Sequence, residues 1–167
     1  MPYGDQLPGK QTKGYELLEL IAISGELPAG QLSRLSGGES YMAAVVTALK
    51  QQRLLTTYYR DGLRGYRLTS RAKQLLCKEN PDRFSFYLTG AVDTNHVKSE
   101  ITRRLRLHRI SETMITMKNA GVTIFRDERP AVFAPVWEEN IHIRSPSFWN
   151  SREIKELGTV FANIRGA

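Results

Sequence analysis

Apolar residues recur along the chain with periods that mark its elements. From Glu39 to Gln52 they fall at Met42, Val45, Val46 and Leu49, the i, i+3, i+4, i+7 spacing of a helix with one buried face. Leu54 to Arg60 follows as a run of β-branched and aromatic residues, which predicts a strand. Asp61-Gly62-Leu63-Arg64-Gly65 supplies two glycines for a hairpin loop, because glycine takes positive φ at little cost. Tyr66 to Thr69 returns as a second strand, and Ser70 to Lys78 reads as another helix. Upstream, Thr12 to Ser24 is nearly all apolar after Gly14, which suits a helix enclosed by a core, with Gly25 placed to end it. Leu27-Pro28-Ala29 opens a short helix that buries Leu32 and Leu35 before Ser36-Gly37-Gly38 interrupts it. Three helices with a glycine-marked turn before the third, then strand, loop, strand and helix, is the order of a winged helix-turn-helix.

Further on, Asn80-Pro81-Asp82 reads as a turn and Arg83 to Leu88 as an aromatic covering segment, with a domain boundary near Thr89-Gly90. A long helix is expected from about Thr94 to Ala120, capped by Thr94 or Asn95 and closed by Gly121. Its apolar side would be Val97, Ile101, Leu105, Leu107, Ile110, Met114 and Met117. Its other side, with Lys98, Arg103, Arg104, Arg106 and Arg109, reads as a solvated face that could also extend a nucleic-acid footprint. Met114 and Met117 are expected to cover a small sheet, with pairing into a homodimer as the alternative. Strands are expected at residues 122–125, 131–137 and, more weakly, 138–144, where Pro135 and Pro146 argue for edges. Ser151 is expected to cap a closing helix with Ile154, Leu157 and Phe161 on one side. The whole reads as α+β: a flexible arm over residues 1–11, an N-terminal winged helix-turn-helix over 12–89, then a long linking helix and a small C-terminal sheet-containing domain over 90–167.

Charge sharpens this picture. The 167 residues are 41% hydrophobic and 25% charged, enough to bury a core, and the formal charge is +7. Residues 1–90 carry 12 basic and 8 acidic side chains and residues 91–121 carry 6 and 3, whereas residues 122–167 balance at 6 and 6. The first two-thirds is therefore the part that meets a polyanion. Between Lys50 and Lys73, seven basic side chains stand against the single acid Asp61. A surface that basic most often faces phosphates. A membrane is a poor alternative, since no apolar run approaches about 18 residues. Met1-Pro2-Tyr3-Gly4-Asp5 lacks the regions of a signal peptide, and the single cysteine, Cys77, excludes an internal disulfide and fits a reducing cytoplasm.

These patterns name an interface. The Glu39 to Gln52 helix would enter the major groove of double-stranded DNA with Tyr41, Ala44, Thr47 and Gln51 outward and Lys50 and Arg53 near its end. The wing residues Arg60, Arg64 and Arg67, with Arg71 and Lys73 behind them, would meet the phosphates. Little in that helix reads guanine, so modest sequence preference is expected. Two other readings compete. The winged helix could be a protein-interaction scaffold with a solvated basic rim. Alternatively Glu100, Asp127 and Glu153-Ile154-Lys155 follow the order of a Mg²⁺-dependent nuclease of restriction type. Glu153 and Lys155 share a face only on a strand, however, and their surroundings look helical. His96, His108, His142 and Cys77 lack the spacing of a zinc site. His96 and His108 read as ordinary polar helix positions without a carboxylate partner, and Cys77 as buried and inert. No catalytic residue, cofactor or metal ligand is assigned.

Tyr66-Arg67-Leu68-Thr69-Ser70-Arg71-Ala72-Lys73-Gln74-Leu75-Leu76 resembles the wing-to-helix passage of the replication-relaxation family, winged-helix proteins of bacterial plasmids and conjugative elements. His108-Arg109-Ile110-Ser111-Glu112, Ala120-Gly121-Val122 and Asn150-Ser151-Arg152-Glu153-Ile154-Lys155-Glu156 resemble the second part of such proteins. The resemblance covers most of residues 12–165 but carries no catalytic signature. It implies DNA binding in plasmid or mobile-element replication or transfer, or a related transcriptional role, with replication or transfer proteins as partners. Similar proteins continue past Ile164-Arg165-Gly166-Ala167, so a shortened second domain is expected.

Overall fold

The computed structural model describes residues 6–129 and 148–156. Its contacts divide the chain into Met1–Thr116 and Met117–Ala167, so the boundary falls inside a helix rather than near Thr89-Gly90. The chain mixes helices with a three-stranded antiparallel sheet of order β1-β3-β2, an α+β arrangement.

At the centre of the first unit lies α1 (Lys13–Ser24), where Leu17, Leu18, Leu20, Ile21, Ala22 and Ile23 are all fully buried. Thr12 caps it by accepting from the Tyr15 amide, and Gly25 ends it at φ 88° with its N–H on the Ile21 carbonyl. Residues 6–11 are not a free arm: Pro8 packs against Gly14, and Lys10 pairs with Glu79 at 2.7 Å. Next, β1 (Leu27–Pro28) joins the sheet edge, where proline costs no ladder bond. Pro28 then caps a 3-10 helix, Ala29–Arg34, in place of the expected first helical turn.

Gly37 and Gly38, at φ 110° and 84°, lead into α2 (Glu39–Gln51), which buries Met42, Val46 and Leu49. β2 (Leu55–Arg60) and β3 (Leu63–Leu68) pair from Leu55↔Leu68 to Arg60↔Leu63. Their turn has two residues, Asp61 at φ 53° and Gly62 at φ 76°, both in the left-handed region that such turns require. Gly65 is therefore a strand residue and not part of the loop. It is glycine for a different reason, since a Cβ there would lie 2.2 Å from Glu26 Oε1.

Thr69 caps α3 (Ser70–Glu79) by accepting from the Ala72 amide. Asn80-Pro81-Asp82 starts a helix instead of a turn: Asn80 accepts from the Arg83 amide, and Pro81 takes the first position of α4 (Pro81–Leu88). Phe84, Tyr87 and Leu88 from that helix are buried, and Arg83 pairs with Glu19 at 2.7 Å.

The expected long helix is two helices, α5 (Gly90–Val97) and α6 (Ile101–Asn119), with Lys98 extended between them. The freed Val97 carbonyl accepts from Arg67 Nη1 at 3.2 Å. The buried face of α6 is also not the one expected. Arg104, Leu107, His108, Ser111, Met114 and Ile115 point inward at helical spacing, whereas Ile101 is 45% and Leu105 40% exposed.

In the second unit Gly121, at φ 78°, follows the helix end, and the Val122 amide bonds the Met117 carbonyl. Residues 122–125 form no strand among the described residues. Thr123 makes an isolated bridge, and its carbonyl accepts from the Phe148 amide at 2.8 Å. The expected strands at 131–137 and 138–144, like His142, Leu157 and Phe161, lie outside the described residues. Residues 151–156 are helical, but the cap is Asn150, not Ser151. Asn150 Oδ1 accepts from the Glu153 amide at 3.0 Å, and Glu153 Oε2 accepts from the Asn150 amide at 3.0 Å, a reciprocal capping box.

Candidate nucleic-acid interface

Burial of Met42, Val46 and Leu49 turns the rest of α2 outward. Its exposed side presents Tyr41, Ala43, Ala44, Thr47, Ala48, Lys50 and Gln51. Three alanines and a threonine leave the helix slim along this side. The Thr47 hydroxyl folds back onto the Ala43 carbonyl at 3.0 Å. Tyr41 is 54% exposed and its ring edge lies against Gly37, whose position has no room for a side chain. Lys50 and Arg53 stand exposed at the helix end. Arg53 adopts φ 57°, a left-handed conformation that closes the helix and lets the Leu54 amide reach the Leu49 carbonyl.

Strand alternation separates the hairpin into two faces. Leu55, Thr57 and Tyr59 of β2 share one face with Leu68, Tyr66 and Arg64 of β3, following the pairs Leu55↔Leu68, Thr57↔Tyr66 and Tyr59↔Arg64. Leu55, Tyr66 and Leu68 are buried, so the base of this face belongs to the core. At its tip Tyr59 is 71% exposed and Arg64 is exposed, with no bond or ion pair to any described residue. The opposite face carries Thr56, Tyr58 and Arg60 with Arg67, Gly65 and Leu63. Arg60 is exposed and lies 3.6 Å from Asp61.

That opposite face covers a buried charge cluster. Glu26, 0% exposed between α1 and β1, accepts from Arg67 Nε at 2.7 Å, from Arg104 Nη2 at 2.5 Å and from His108 Nε2 at 2.7 Å. Burial alone would raise its pKa, but the hydrogen bonds from His108, Arg104 and Arg67 hold it down to about 2. Arg104, also 0% exposed, donates onward to the backbone carbonyls of Arg60 at 2.9 Å, Leu63 at 3.1 Å and Tyr58 at 3.3 Å. Both guanidiniums stack on the Tyr58 ring, Arg67 at 4.1 Å and Arg104 at 4.6 Å from its centroid. Hydrogen bonding to Ser99 and Arg60 lowers the Tyr58 phenol from its ordinary pKa.

The nine residues read from sequence as DNA contacts thus divide. Tyr41, Thr47, Lys50, Arg53, Arg60 and Arg64 lie on exposed or helix-end positions. Arg67 does not: Glu26, Val97 and Tyr58 already occupy it. Lys73 pairs with Asp93 at 2.6 Å, and Arg71 reaches the Gln52 carbonyl at 3.4 Å. Two positions of α6 also differ from expectation. Arg104 is not on a solvated face, and His108 does have a carboxylate partner, one 82 residues away in sequence. Helical spacing could not find it, because the partner lies on another element. Tyr59 carries no charge, so the count of basic residues that marks Arg60 and Arg64 does not mark it. The cluster itself carried one signal, an acid at Glu26 set between apolar positions that continue into an edge strand.

Among the described residues no group of three or more His, Cys, Asp or Glu side chains is placed to hold a metal ion. His96 packs its ring against Gly25, whose position leaves no space for a Cβ. Burial pushes the Cys77 thiol pKa up, away from a reactive thiolate. In the second unit Glu153 is taken by Arg129 at 3.0 Å, Arg126 at 3.4 Å and the Asn150 amide. Residues 151–156 being helical, Glu153 and Lys155 diverge by roughly 200°, unlike the shared face a nuclease triplet needs. No described helix is long and apolar enough to cross a membrane. Comparison with family models, with curated proteins and with solved structures finds no match to this chain.

Proposed function

We propose that the first unit is a winged helix-turn-helix that binds double-stranded DNA without catalysis. In this reading α2 is the recognition helix and β2–β3 the wing. The element order α1, β1, 3-10 helix, α2, β2, β3 and the sheet order β1-β3-β2 support it. The observation that carries it is the slim, exposed side of α2, ending in Lys50 and Arg53, with the tip pair Tyr59 and Arg64 on the core-side face of the hairpin. Such a helix can lie deep in a major groove, where alanine and threonine methyls meet thymine methyls. Cations at the helix end and wing tip would then reach the flanking phosphates. Affinity comes mainly from phosphates, so binding is salt-sensitive with modest sequence preference. The resemblance at residues 66–76 supports a role in replication or transfer of a plasmid or mobile element, in the cytoplasm. There, replication or transfer proteins would be further partners.

Ala44→Glu tests the reading. It puts a carboxylate on the exposed side of α2, where substitutions usually change stability by no more than about 0.5 kcal/mol. A mobility-shift titration with random and plasmid-origin duplexes should show binding by the unmodified chain and its loss in the variant. Unchanged binding by the variant would remove α2 from the interface. A protein-interaction role finds support in exposed Val97, Ile101 and Leu105. It predicts that Ile101→Glu releases a partner protein while leaving duplex affinity unaltered.

A further inference from the structure

The far end of the β2–β3 hairpin buries few of its own side chains. Beyond the buried pair Leu55↔Leu68 and the pair of half-buried Thr57 with buried Tyr66, the ribbon carries exposed Tyr59, Arg60, Asp61, Gly62 and Arg64. An isolated two-stranded ribbon is marginal in water and does not hold one direction by itself. Here its end is gripped from the face opposite Tyr59 and Arg64. Arg104 of α6 donates to the carbonyls of Arg60 and Leu63, the two residues that flank the turn, and to that of Tyr58. The same guanidinium is anchored to Glu26 at 2.5 Å, and Glu26 is fixed in turn by His108, one helical turn along α6.

Resting on the DNA-binding reading, we propose that Arg104 is a positioning residue for the wing. Its forked guanidinium holds the hairpin end at the angle from which Tyr59 and Arg64 meet the duplex, though Arg104 does not touch DNA itself. Charge pairing with Glu26 alone would not need arginine. A planar group with five donors is what serves one carboxylate and three carbonyls together, and a lysine ammonium cannot span them. The cluster thereby links α6 to the DNA-facing edge of the protein through the ribbon.

A double-mutant cycle tests this on the full chain. Duplex affinity is measured by fluorescence anisotropy across a salt series for the unmodified protein, Arg64→Ala, Arg104→Lys and the pair. In the unmodified background Arg64→Ala should lower the salt slope by about one. Arg104→Lys should remove the same increment, and adding Arg64→Ala to it should change nothing further. A merely structural role for Arg104 lowers thermal stability but leaves the two slope changes additive, and additivity would overturn the proposal. If Arg104→Lys does not fold by circular dichroism, the cycle is run on Glu26→Gln combined with Arg104→Gln, which leaves no lone buried carboxylate. Salt-independent or absent binding by the unmodified chain would overturn the DNA reading itself, a result separate from additivity.

Discussion

The two faces of one β-ribbon put arginine to opposite uses. On one face Arg64 stands at an exposed tip beside Tyr59, with no described partner. On the other, three residues along, Arg67 is enclosed by Glu26, the Val97 carbonyl and the Tyr58 ring, while Arg104 comes up beneath it from α6. Composition counts both alike as positive charge. The difference is set by register: a period of two sends Arg64 and Arg67 to opposite sides, and only one side has a buried carboxylate waiting. A basic cluster therefore measures two things at once, the cations offered to a polyanion and those consumed in holding the fold.

The two faces differ most in what Glu26 does for each. Glu26→Ala leaves Arg104 buried without its carboxylate, and losing one partner of a buried pair costs about 3–5 kcal/mol. Urea denaturation should show the lowered midpoint, whereas Arg64→Ala, on the exposed face, should leave it nearly unmoved. The faces also separate by pH. The Glu26 pKa lies at about 2 in the folded chain against an ordinary 4.5. The unfolded chain therefore takes up the proton first as pH falls. The stabilisation is fully present above about pH 4.5 and is lost as pH descends toward 2. Denaturation midpoints should drop through that window in the unmodified protein, and Glu26→Gln should flatten the drop.

Much of the first unit was legible in the sequence because its signals are local. The apolar run after Gly14 announces an enclosed helix, Gly25 its end, and the period of Met42, Val46 and Leu49 a buried stripe. What was not legible depends on distant partners. Val97, Ile101 and Leu105 have the period of a buried stripe, yet α6 turns Arg104 and His108 inward instead, because Glu26 and three hairpin carbonyls draw donors more strongly than a few apolar contacts draw Ile101. Gly65 was legible as special but not as a strand residue, since its reason is the carboxylate pressed against it. Of the proposed interface, α2 was visible from its pattern, while the division of the hairpin arginines needed the register of the strands and the depth of Glu26.

The most direct test is the salt dependence of duplex affinity for the unmodified chain, Arg64→Ala and Arg67→Ala, each corrected for its folded fraction. The account predicts a steep fall of affinity with salt, a slope reduced by about one for Arg64→Ala, and an unchanged slope for Arg67→Ala. A reduced slope for Arg67→Ala with none for Arg64→Ala, or no salt-dependent binding by any of the three, would contradict it.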